Sequence, residues 1–461
     1  MFDSTTKFKK VVSLAKRRGF VYPSSEIYGG LANVYDYGPL GVELLRNLRA
    51  LWWDHFVQQR DDVVGIESAI FMHPKVWIAS GHAKGFSDPM VEDKLTHKRY
   101  RADHLIESWA KANLKKEIDT DLMSVEEMNN FISKHKIKSP EGNDLTEVKE
   151  FNLMFTTQLG STTSDVSKLY LRAETAQGMY VNFKNVLDST RVKIPFGIAQ
   201  QGRVFRNEIT TGRFLFRMIE FQQMELQYFF DGKKWEEQFE YWRNQLEYWY
   251  FDLLGLSKNK FKWKPHSKLI FYAKAAEDVQ YEFSWGFDEV SGLHYRTNYD
   301  LLTHQNYSGK SLEYRDPKTG KKYIPHVLET TWGLDRNFFM VLDDAYTEEN
   351  SRTYLNISAK LSPYKVAVFP LLANRANLVE YAKKIHLDLL KDYAVYYDGR
   401  GNIGKRYAYQ DEVGTPFCVT VDFETLDNHT VTVRDRDTMV QERVSVSKLK
   451  EWLNKKLSMY K

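Results

Sequence analysis

The run FRNEITTGRFLFRMIEFQQMELQYFF, residues 205–230, restricts the fold more than any other part of the chain. It predicts two β-strands joined by a turn-rich loop. Because the side chains of a strand alternate between its faces, Arg217, Phe221 and Glu225 are predicted to point the same way along the second strand. An ordinary core hairpin carries aliphatic side chains at such positions. This hairpin therefore predicts a surface that meets a ligand.

The first strand of the hairpin adds charges of both signs to the same predicted surface. Arg206 and Glu208 share a face by the same alternation, and the loop contains Thr-Thr-Gly-Arg at positions 210–213. A guanidinium group matches phosphate oxygens, and an exposed aromatic ring offers a stacking surface for a base. The hairpin thus favours a charged, planar ligand, whereas an isolated FRNE motif would fit a solvated hairpin with surface ion pairs better.

Composition excludes several classes of protein. With 461 residues, 43% of them hydrophobic and 15% aromatic, the chain is large enough for two or three domains with sizeable cores. No apolar run approaches the roughly 20 residues that span a bilayer, and the charged N-terminus is unlike a secretory signal. Cys418 is the only cysteine, which excludes an intramolecular disulfide and a cysteine-rich zinc site. We therefore expect a cytoplasmic protein with no membrane partner.

Hydrophobic periodicity and charge divide the chain into four predicted segments. Apolar residues recur at helical spacing from Leu45 to Phe56 and from Trp235 to Trp249, which predicts two amphipathic core helices. Residues 105–150 are charged and lack a sustained apolar run, which predicts a mostly helical insertion. The predicted segments are a first part of the core at 1–104, the insertion at 105–150, a second part of the core at 151–362, and a C-terminal α/β domain at 363–461.

The hairpin and several further blocks together resemble one enzyme family. An FRxE strand, then an arginine, a phenylalanine four residues on and an acid four beyond that, resemble the second signature motif of class II aminoacyl-tRNA synthetases, whose hairpin holds ATP. The helix and strand after residue 39 resemble the first motif, and ETTWGLDR at 329–336 resembles the third. Residues 403–422, IGKRYAYQDEVGTPFCVTVD, resemble the anticodon-binding domain of such enzymes. Blocks that resemble the glycyl-tRNA synthetases in particular are YGGLANVYDYGPLG at 28–41, SGH at 80–82, YRAD at 100–103, RAETAQG at 172–178 and RTNYDLLTH at 296–304.

The resemblance implies a fold, a reaction and partners. The fold would be α+β, with the antiparallel sheet of class II synthetases flanked by helices and a C-terminal α/β anticodon-binding domain. The enzyme would activate glycine with ATP to glycyl-adenylate and pyrophosphate, and would then transfer glycine to the 3′-terminal adenosine of tRNA(Gly). Mg²⁺ would accompany ATP, no structural zinc is expected, and the first motif would form the interface of a homodimer.

The resemblance also assigns ATP-binding roles to the hairpin. Arg206 would bind the α-phosphate and the glycine carboxylate, Phe221 would stack on adenine, and Glu208 would read the edge of the base. The implied ATP-binding residues are Arg206, Asn207, Glu208, Arg217, Phe221, Glu289, Arg296 and Arg336.

Two later blocks would complete the phosphate site. Arg336 lies in the first turn of a predicted helix, where the helix dipole disfavours a cation, and this indicates a nearby anion. By the resemblance, Arg217 and Arg336 would bind the pyrophosphate end of ATP, and Glu289 would be the residue that holds Mg²⁺. The implied catalytic residues are Arg206, Glu289 and Arg336.

Glycine recognition would depend on carboxylates and on a lack of space. Glu174 and Glu225 would hold the glycine ammonium, and larger amino acids would be refused because overpacking a small pocket is costly. Thr331 stands where the family has serine, so it keeps the hydroxyl and adds a methyl group. The implied glycine-binding residues are Glu174, Arg206, Glu225, Glu329 and Thr331.

Two polar residues near this set have local interpretations. Glu174 precedes a predicted helix that Thr175 could cap, so its carboxylate could serve only as a favourable charge at a helix N-terminus. His82, in the SGH block, is expected to be a loop histidine bonded to the backbone. Neither local interpretation requires a substrate.

Two other functions fit parts of the pattern. A non-catalytic nucleic-acid-binding accessory protein could share the fold, but the retained arginines and Phe221 argue against it. A class II synthetase for alanine or serine is the second alternative. Glu174 and Glu225 argue against that alternative, while the substitution at Thr331 leaves room for it.

Overall fold

A seven-stranded sheet lies at the centre of the computed structural model. Its strands run antiparallel except at one edge, where Val63–Gly65 pairs in parallel with Phe196–Phe205. The predicted antiparallel sheet of an α+β fold is therefore confirmed. The structure describes residues 4–116, 118–120, 123–159, 168–208, 213–267, 269, 272–349 and 352–459. In spatial order the strands of the central sheet are Phe261–Pro265, Ala275–Phe283, Gly286–Thr297, His326–Gly333, Glu220–Phe230, Phe196–Phe205 and Val63–Gly65.

The predicted hairpin supplies two strands of this sheet, but its first strand lies earlier than expected. Phe196–Phe205 pairs antiparallel with Glu220–Phe230. Arg206, Glu208 and Arg217 therefore lie outside both strands, and the prediction that strand alternation orients them is wrong.

The chain leaves the hairpin ladder because its backbone finds other partners. The N–H of Asn207 donates to the carbonyl of Leu153 at 2.8 Å instead of continuing the ladder. The return connection contains a short 3₁₀ helix at Phe214–Phe216. Residues 210–212 of the predicted turn lie outside the described residues.

Alternation does govern the second hairpin strand, Glu220–Phe230. Met224 and Leu226 point into the main hydrophobic core, whereas Phe221 and Glu225 point to the opposite face. The opposite face forms the floor of the cleft described below. Nearly all residues of this strand are buried because the strand is covered on both faces.

Helices cover the core face of the sheet. Trp52, on one of them, meets Trp332 of the sheet with ring centroids 5.4 Å apart, and burial of a large apolar side chain of this kind contributes about 1.5–3 kcal/mol. The two predicted amphipathic helices are confirmed, and each continues as a π-helical turn, at Asp54–Gln58 and Trp249–Leu253.

No helix in the described part of the chain combines the length and apolar character that crossing a bilayer requires. The α-helices are Ser4–Arg18, Pro39–Trp53, Pro74–Ala79, His82–Gly85, Ala102–Asn113, Val125–His135, Ala176–Val181, Phe183–Thr190, Trp235–Tyr248, Tyr299–Ser308, Leu334–Ala345, Ala376–Leu389, Ile403–Val413, Phe423–Asn428 and Leu449–Met459.

The charged region predicted as an insertion packs two helices on a small sheet. Ser87–Glu92 is the central strand of that sheet, flanked by Arg99–Arg101 and Lys149–Asn152. The helices Ala102–Asn113 and Val125–His135 lie beside it and share one apolar core with it. The second helix begins with a capping box between Ser124 and Glu127, which satisfies backbone N–H groups that would otherwise lack partners.

The C-terminal elements surround a core of their own. In spatial order the strands of their sheet are Val395–Tyr397, Val366–Pro370, Phe417–Val421, Thr430–Asp435 and Gln441–Ser445, the first three parallel and the last two antiparallel. Buried side chains from these strands and from helices Ala376–Leu389 and Leu449–Met459 form one hydrophobic cluster. The predicted C-terminal α/β fold is confirmed, while the bounds of the four predicted segments stay predictions. Two-stranded ribbons elsewhere join Val21–Pro23 to Tyr35–Tyr37, Thr156–Gln158 to Lys168–Tyr170, Tyr314–Arg315 to Lys322–Tyr323, and Tyr346–Glu349 to Arg352–Leu355.

Candidate active site

A cleft of about 530 Å³ lies over the central sheet. Cross-strand pairing places Glu225 opposite Thr331, and Thr331 opposite Gly292, in one row along its floor. Asn207 is the one predicted site residue that is not part of the lining. The others line the cleft together: Glu174, Arg206, Glu208, Arg217, Phe221, Glu225, Glu289, Arg296, Glu329, Thr331 and Arg336. The structure thus brings the predicted set into one space, while their individual roles stay predictions.

A β-bulge in strand Gly286–Thr297 turns Glu289 toward the cleft. The pairing with one neighbouring strand carries an extra residue at Val290, and this β-bulge places Glu289 on the same face as His294. The pairing with the other neighbour shifts at Arg296. Uninterrupted alternation would have sent Glu289 to the core face, so the bulge is what delivers this carboxylate to the cleft.

Arg206 lies between two aromatic rings at one end of the cleft, which we call the open end. Its guanidinium carbon is 5.1 Å from the centroid of the Phe86 ring and 5.3 Å from that of Phe221. Its Nε donates to the carbonyl of Ala173 at 3.2 Å. Rings on two sides restrict the guanidinium plane, and a guanidinium in a fixed plane suits a bidentate anion.

Two further arginines at the open end pair with carboxylates. Arg217 Nη1 lies 3.7 Å from Glu208 Oε2. Arg336 Nη1 lies 3.0 Å from Glu289 Oε2, and its Nε donates to the carbonyl of Phe216 at 3.3 Å. Burial raises the pKa of Glu289, but the charge and hydrogen bond of Arg336 outweigh this effect and lower the pKa below its ordinary value. The helix position of Arg336 predicted a nearby anion. In this structure that anion is the carboxylate of Glu289.

A buried network around Arg296 closes the other end of the cleft, which we call the buried end. Its Nε and Nη2 donate to Asp300 at 2.8 and 3.0 Å, and its Nη1 donates to Glu329 at 3.0 Å. The guanidinium also packs 4.1 Å from the centroid of the Tyr272 ring, and Glu329 accepts a second bond from Gln227 at 2.8 Å. Each charge is paired and hydrogen-bonded, which is the condition under which buried ions are tolerated.

Glu174 belongs to the buried end and is held from two sides. Gln177 Nε2 donates to its Oε1 at 2.8 Å, and His82 Nε2 lies 3.3 Å from its Oε2. Burial raises the pKa of Glu174, but the charge and hydrogen bond of His82, the charge of Arg296 and the bond from Gln177 hold it well below its usual range. The expectation that backbone groups satisfy His82 is wrong, because its other ring nitrogen lies 2.9 Å from the hydroxyl of Ser80.

Glu225 completes the buried end, and its pKa shifts in the opposite direction from that of Glu174. It accepts hydrogen bonds from the hydroxyls of Thr175 and of Thr331, the latter at 3.3 Å. Burial, with Glu329 and Glu174 nearby, raises the pKa of Glu225 to about 8. The prediction that Thr175 caps the following helix is wrong, since its side chain makes no capping bond and serves Glu225 instead.

Sequence patterns did not point to several other residues that line the cleft. His266, Asp278 and His294 lie together on one wall. Asp335 accepts a bond from the backbone N–H of Gln222 at 2.6 Å and so fixes the start of the second hairpin strand. His294 could have been found from its position two residues before Arg296 on the same strand. Asp335 could have been found from its place next to Arg336 in the ETTWGLDR block, whereas His266 and Asp278 come from segments that no local pattern connects.

Comparison with known proteins adds independent evidence. The family model for the class II core domain of tRNA synthetases (G, H, P, S and T) matches residues 155–390. An anticodon-binding-domain model matches residues 365–456. Similar relatives include the glycine–tRNA ligase of Chlorobaculum tepidum, 48% identical over 97% of this chain and 99% of the relative. The glycine–tRNA ligases of Borreliella burgdorferi and Caldanaerobacter subterraneus are 45% and 47% identical, over 99% and 97% of this chain and 98% of each relative.

Proposed function

The chain belongs to the glycine–tRNA ligase family of class II synthetases. We propose which residues of its cleft bind each substrate of the ligase reaction. The enzyme activates glycine with ATP to glycyl-adenylate and pyrophosphate, and then transfers glycine to the 3′-terminal adenosine of tRNA(Gly). Its relatives are ligases, so the non-catalytic alternative has no support.

One observation carries the assignment of the cleft. Three arginines and an aromatic ring meet at the open end, while a set of buried carboxylates occupies the other end of the same space. ATP presents phosphates and a flat base, whereas glycine presents a small ammonium. The open end therefore complements ATP and the buried end complements glycine. One strand, Glu220–Phe230, connects the two ends, because it carries both Phe221 and Glu225.

Arg206 is proposed to act where the two substrates react. The glycine carboxylate attacks the α-phosphorus of ATP, and pyrophosphate leaves. A guanidinium held between Phe86 and Phe221 can bind the α-phosphate and the incoming carboxylate together, which reduces the repulsion between two anions. Positioning and charge stabilisation suffice for this step, and no covalent intermediate with the protein is required.

The other residues of the open end are proposed to position ATP. Phe221 stacks on adenine, Glu208 reads the edge of the base, and the adjacent Asn207 remains a predicted contact of the nucleotide. Arg217 and Arg336 bind the pyrophosphate end, where phosphates replace Glu208 and Glu289 as partners of the arginines.

A divalent metal ion accompanies ATP in class II synthetases, and we propose that it is Mg²⁺ here. Glu289 fits this ion, because its carboxylate oxygen is a hard ligand and its side chain is 43% exposed in the cleft. The bound ion would neutralise phosphate charge as pyrophosphate leaves. Without phosphates nearby, Arg336 holds the same carboxylate in place.

The buried end is proposed to bind glycine. Glu174 and Glu225 hold the ammonium, and Glu329 and Thr331 shape the remaining space. Thr331 donates to Glu225, so its methyl group is fixed in orientation and can exclude a larger side chain. Arg296, which the resemblance assigned to ATP, is proposed instead to hold Glu329, because three of its N–H groups already donate to carboxylates.

The transfer step is proposed to use positioning alone. The ribose 3′-hydroxyl attacks the carbonyl carbon of glycyl-adenylate, and AMP leaves. The C-terminal domain would bind the anticodon and so select which tRNA reaches the cleft.

We also propose a homodimer in the cytoplasm. The loop before helix Pro39–Trp53 exposes Ile27, Tyr28 and Leu31, and a cluster of exposed apolar side chains is typical of a surface that another chain covers. The single cysteine, Cys418, is buried and fits a reducing compartment.

Amino-acid-dependent exchange of pyrophosphate into ATP tests this function. Glycine should support exchange, and Arg206→Ala should reduce it by about 100- to 1,000-fold, since a preorganised charge donor is lost. Arg203→Ala is the matched control, because Arg203 lies on strand Phe196–Phe205 just before Arg206, is 55% exposed and pairs with Glu220. Exchange driven equally by alanine or serine, or by no amino acid, would contradict the assignment.

A further inference from the structure

Three side chains able to ligate a metal lie on the wall of the cleft, between the two ends. His266, Asp278 and His294 each offer one ligand atom, and these atoms lie within 4.8 Å of one another. Nε2 of His266 is 2.9 Å from Oδ1 of Asp278, and the two imidazole rings meet edge to face with centroids 5.6 Å apart. We propose that this triad binds one divalent transition-metal ion, best suited to Zn²⁺ and separate from the ion that accompanies ATP.

A neighbouring carboxylate orients His294 as a ligand. His294 Nδ1 lies 3.0 Å from Glu329 Oε1. An ionised carboxylate can only accept, so the hydrogen of this bond belongs to Nδ1, and Nε2 of the neutral ring carries a lone pair. Metal-bound histidines usually donate their second ring nitrogen to a carboxylate in this way. Because Arg296 and Gln227 hold Glu329 in turn, the orientation of the ring is fixed before any ion binds.

The backbone beneath the triad leaves room for the imidazole. Gly292 lies directly opposite Asp278 on the neighbouring strand. A Cβ atom on Gly292 would lie 2.8 Å from Cε1 of His294, closer than side chains approach one another. The ring of His294 therefore lies against the backbone of Gly292, where no side chain intervenes, and next to Asp278 on the neighbouring strand.

The donor atoms select the kind of ion. Two imidazole nitrogens and one carboxylate oxygen match zinc sites with three protein ligands, whose bonds are about 2.0–2.2 Å long, and an open fourth position. Mg²⁺ prefers oxygen ligands throughout, so Glu289 and phosphates suit it better than this triad does. All three residues line the cleft, and the open position therefore faces the space that the substrates enter.

An ion at this site would connect three strands. His266 directly follows strand Phe261–Pro265, Asp278 lies on Ala275–Phe283 and His294 lies on Gly286–Thr297. The ion would thus fix the edge of the central sheet beside the buried end. This binding goes beyond the proposed ligase function, since it requires neither ATP nor glycine nor tRNA.

Titration of the full-length protein tests the site. Protein freed of metal by chelation and dialysis is titrated with Zn²⁺, and separately with Co²⁺, whose visible absorption reports its coordination, in the absence of substrates. We expect one ion per chain and displacement of Co²⁺ by Zn²⁺. His266→Ala and His294→Ala should abolish this binding, and Asp278→Asn, which keeps the shape of the side chain, should weaken it at least about tenfold. Glu289→Gln is the matched control and should still bind one ion per chain, with affinity lowered only by the loss of a nearby negative charge.

Thermal unfolding separates loss of the site from loss of the fold. Zn²⁺ should raise the melting temperature of the unmodified protein and of Glu289→Gln, because it binds only the folded chain. The triad variants should melt near the unmodified protein without Zn²⁺ and should lose the rise. If a histidine variant melts early, Asp278→Asn decides the question by the same two measurements. The proposal is overturned if no ion binds, if the ion stays bound in all three triad variants, or if Glu289→Gln removes it.

Discussion

The open end and the buried end of the cleft use the same kinds of charged groups in different environments. At the open end the side chain of Arg336 is 25% exposed and that of its partner Glu289 is 43% exposed. At the buried end the corresponding values are 2% for Arg296 and 7% for Glu329. A partly exposed ion pair contributes little and can exchange partners, whereas a buried pair cannot lose one member without leaving a desolvated charge. The open end can therefore be rearranged by its ligand, and the buried end is complete before its ligand arrives.

This difference follows the substrates that we propose for each end. ATP carries several charges and a large ring system, so it can replace the partners of several arginines at once. Glycine offers one ammonium and one carboxylate and has little surface to contribute. A small ligand binds more tightly when the side chains of its site are already ordered, because binding then costs no further conformational entropy. This favours a rigid network such as that around Arg296.

Replacing one arginine at each end tests the comparison most severely. Arg296→Met leaves Asp300 and Glu329 buried without their cation, and we expect the free energy of unfolding to fall by about 3–5 kcal/mol. Arg336→Met, the matched substitution at the open end, leaves a partly exposed carboxylate and should cost less than about 1 kcal/mol. Urea denaturation of both variants without substrates measures the two effects. Equal losses of stability would contradict the distinction between the ends.

Removing the aromatic ring of the open end should affect one substrate only. Phe221→Ala loses the proposed stacking on adenine, which is worth about 1–3 kcal/mol per base, so the KM for ATP should rise by roughly 5- to 150-fold. The KM for glycine should change little, because Phe221 lies four residues before Glu225 on the same strand, which separates their backbones by about 13 Å. Phe221→Tyr keeps the ring and serves as the control. A rise in both KM values would show that the two ends are not independent.

Much of the open end could be predicted from the sequence because its residues lie close together along the chain. Arg206 and Glu208 of the FRNE motif, the following Arg217, and Phe221 occur within one hairpin, and all four line the cleft. Their orientation could not be predicted by strand alternation, since Arg206 and Arg217 lie outside the strands. Hydrogen bonds of the connection to distant backbone decide where those strands end.

The buried end was predictable only in part. Glu174 and Glu225 could be proposed, but His82, Gln177 and Asp300 come from three separate segments, and tertiary packing alone brings them together. The β-bulge that orients Glu289 in strand Gly286–Thr297 is equally non-local, because an extra residue is visible only when the neighbouring strand is known.

The smallest expected effect comes from the proton on Glu225. Its pKa of about 8 means that the carboxyl group is mostly protonated at neutral pH when no cation is bound. Glycine ammonium favours the ionised form, so its binding should release a proton, and the KM for glycine should rise by on the order of tenfold from pH 8.5 to pH 7. The KM for ATP should show no comparable slope, because Glu225 lies at the buried end of the cleft, away from the proposed phosphate partners. Steady-state exchange rates at several pH values give both constants.

Glu225→Gln separates this titration from other effects of pH. The variant should bind glycine more weakly, and its KM for glycine should no longer depend on pH over this range. The sign of the stability effect provides a second check. Because the folded pKa lies above that of an unfolded glutamate, the unfolded chain releases its proton first, and the free energy of unfolding should fall as pH rises from about 5 toward 8. Glu225→Gln should make this fall smaller, whereas a pH slope as steep as that of the unmodified protein would assign the titration to other groups, and Glu225 would then be ionised before glycine binds.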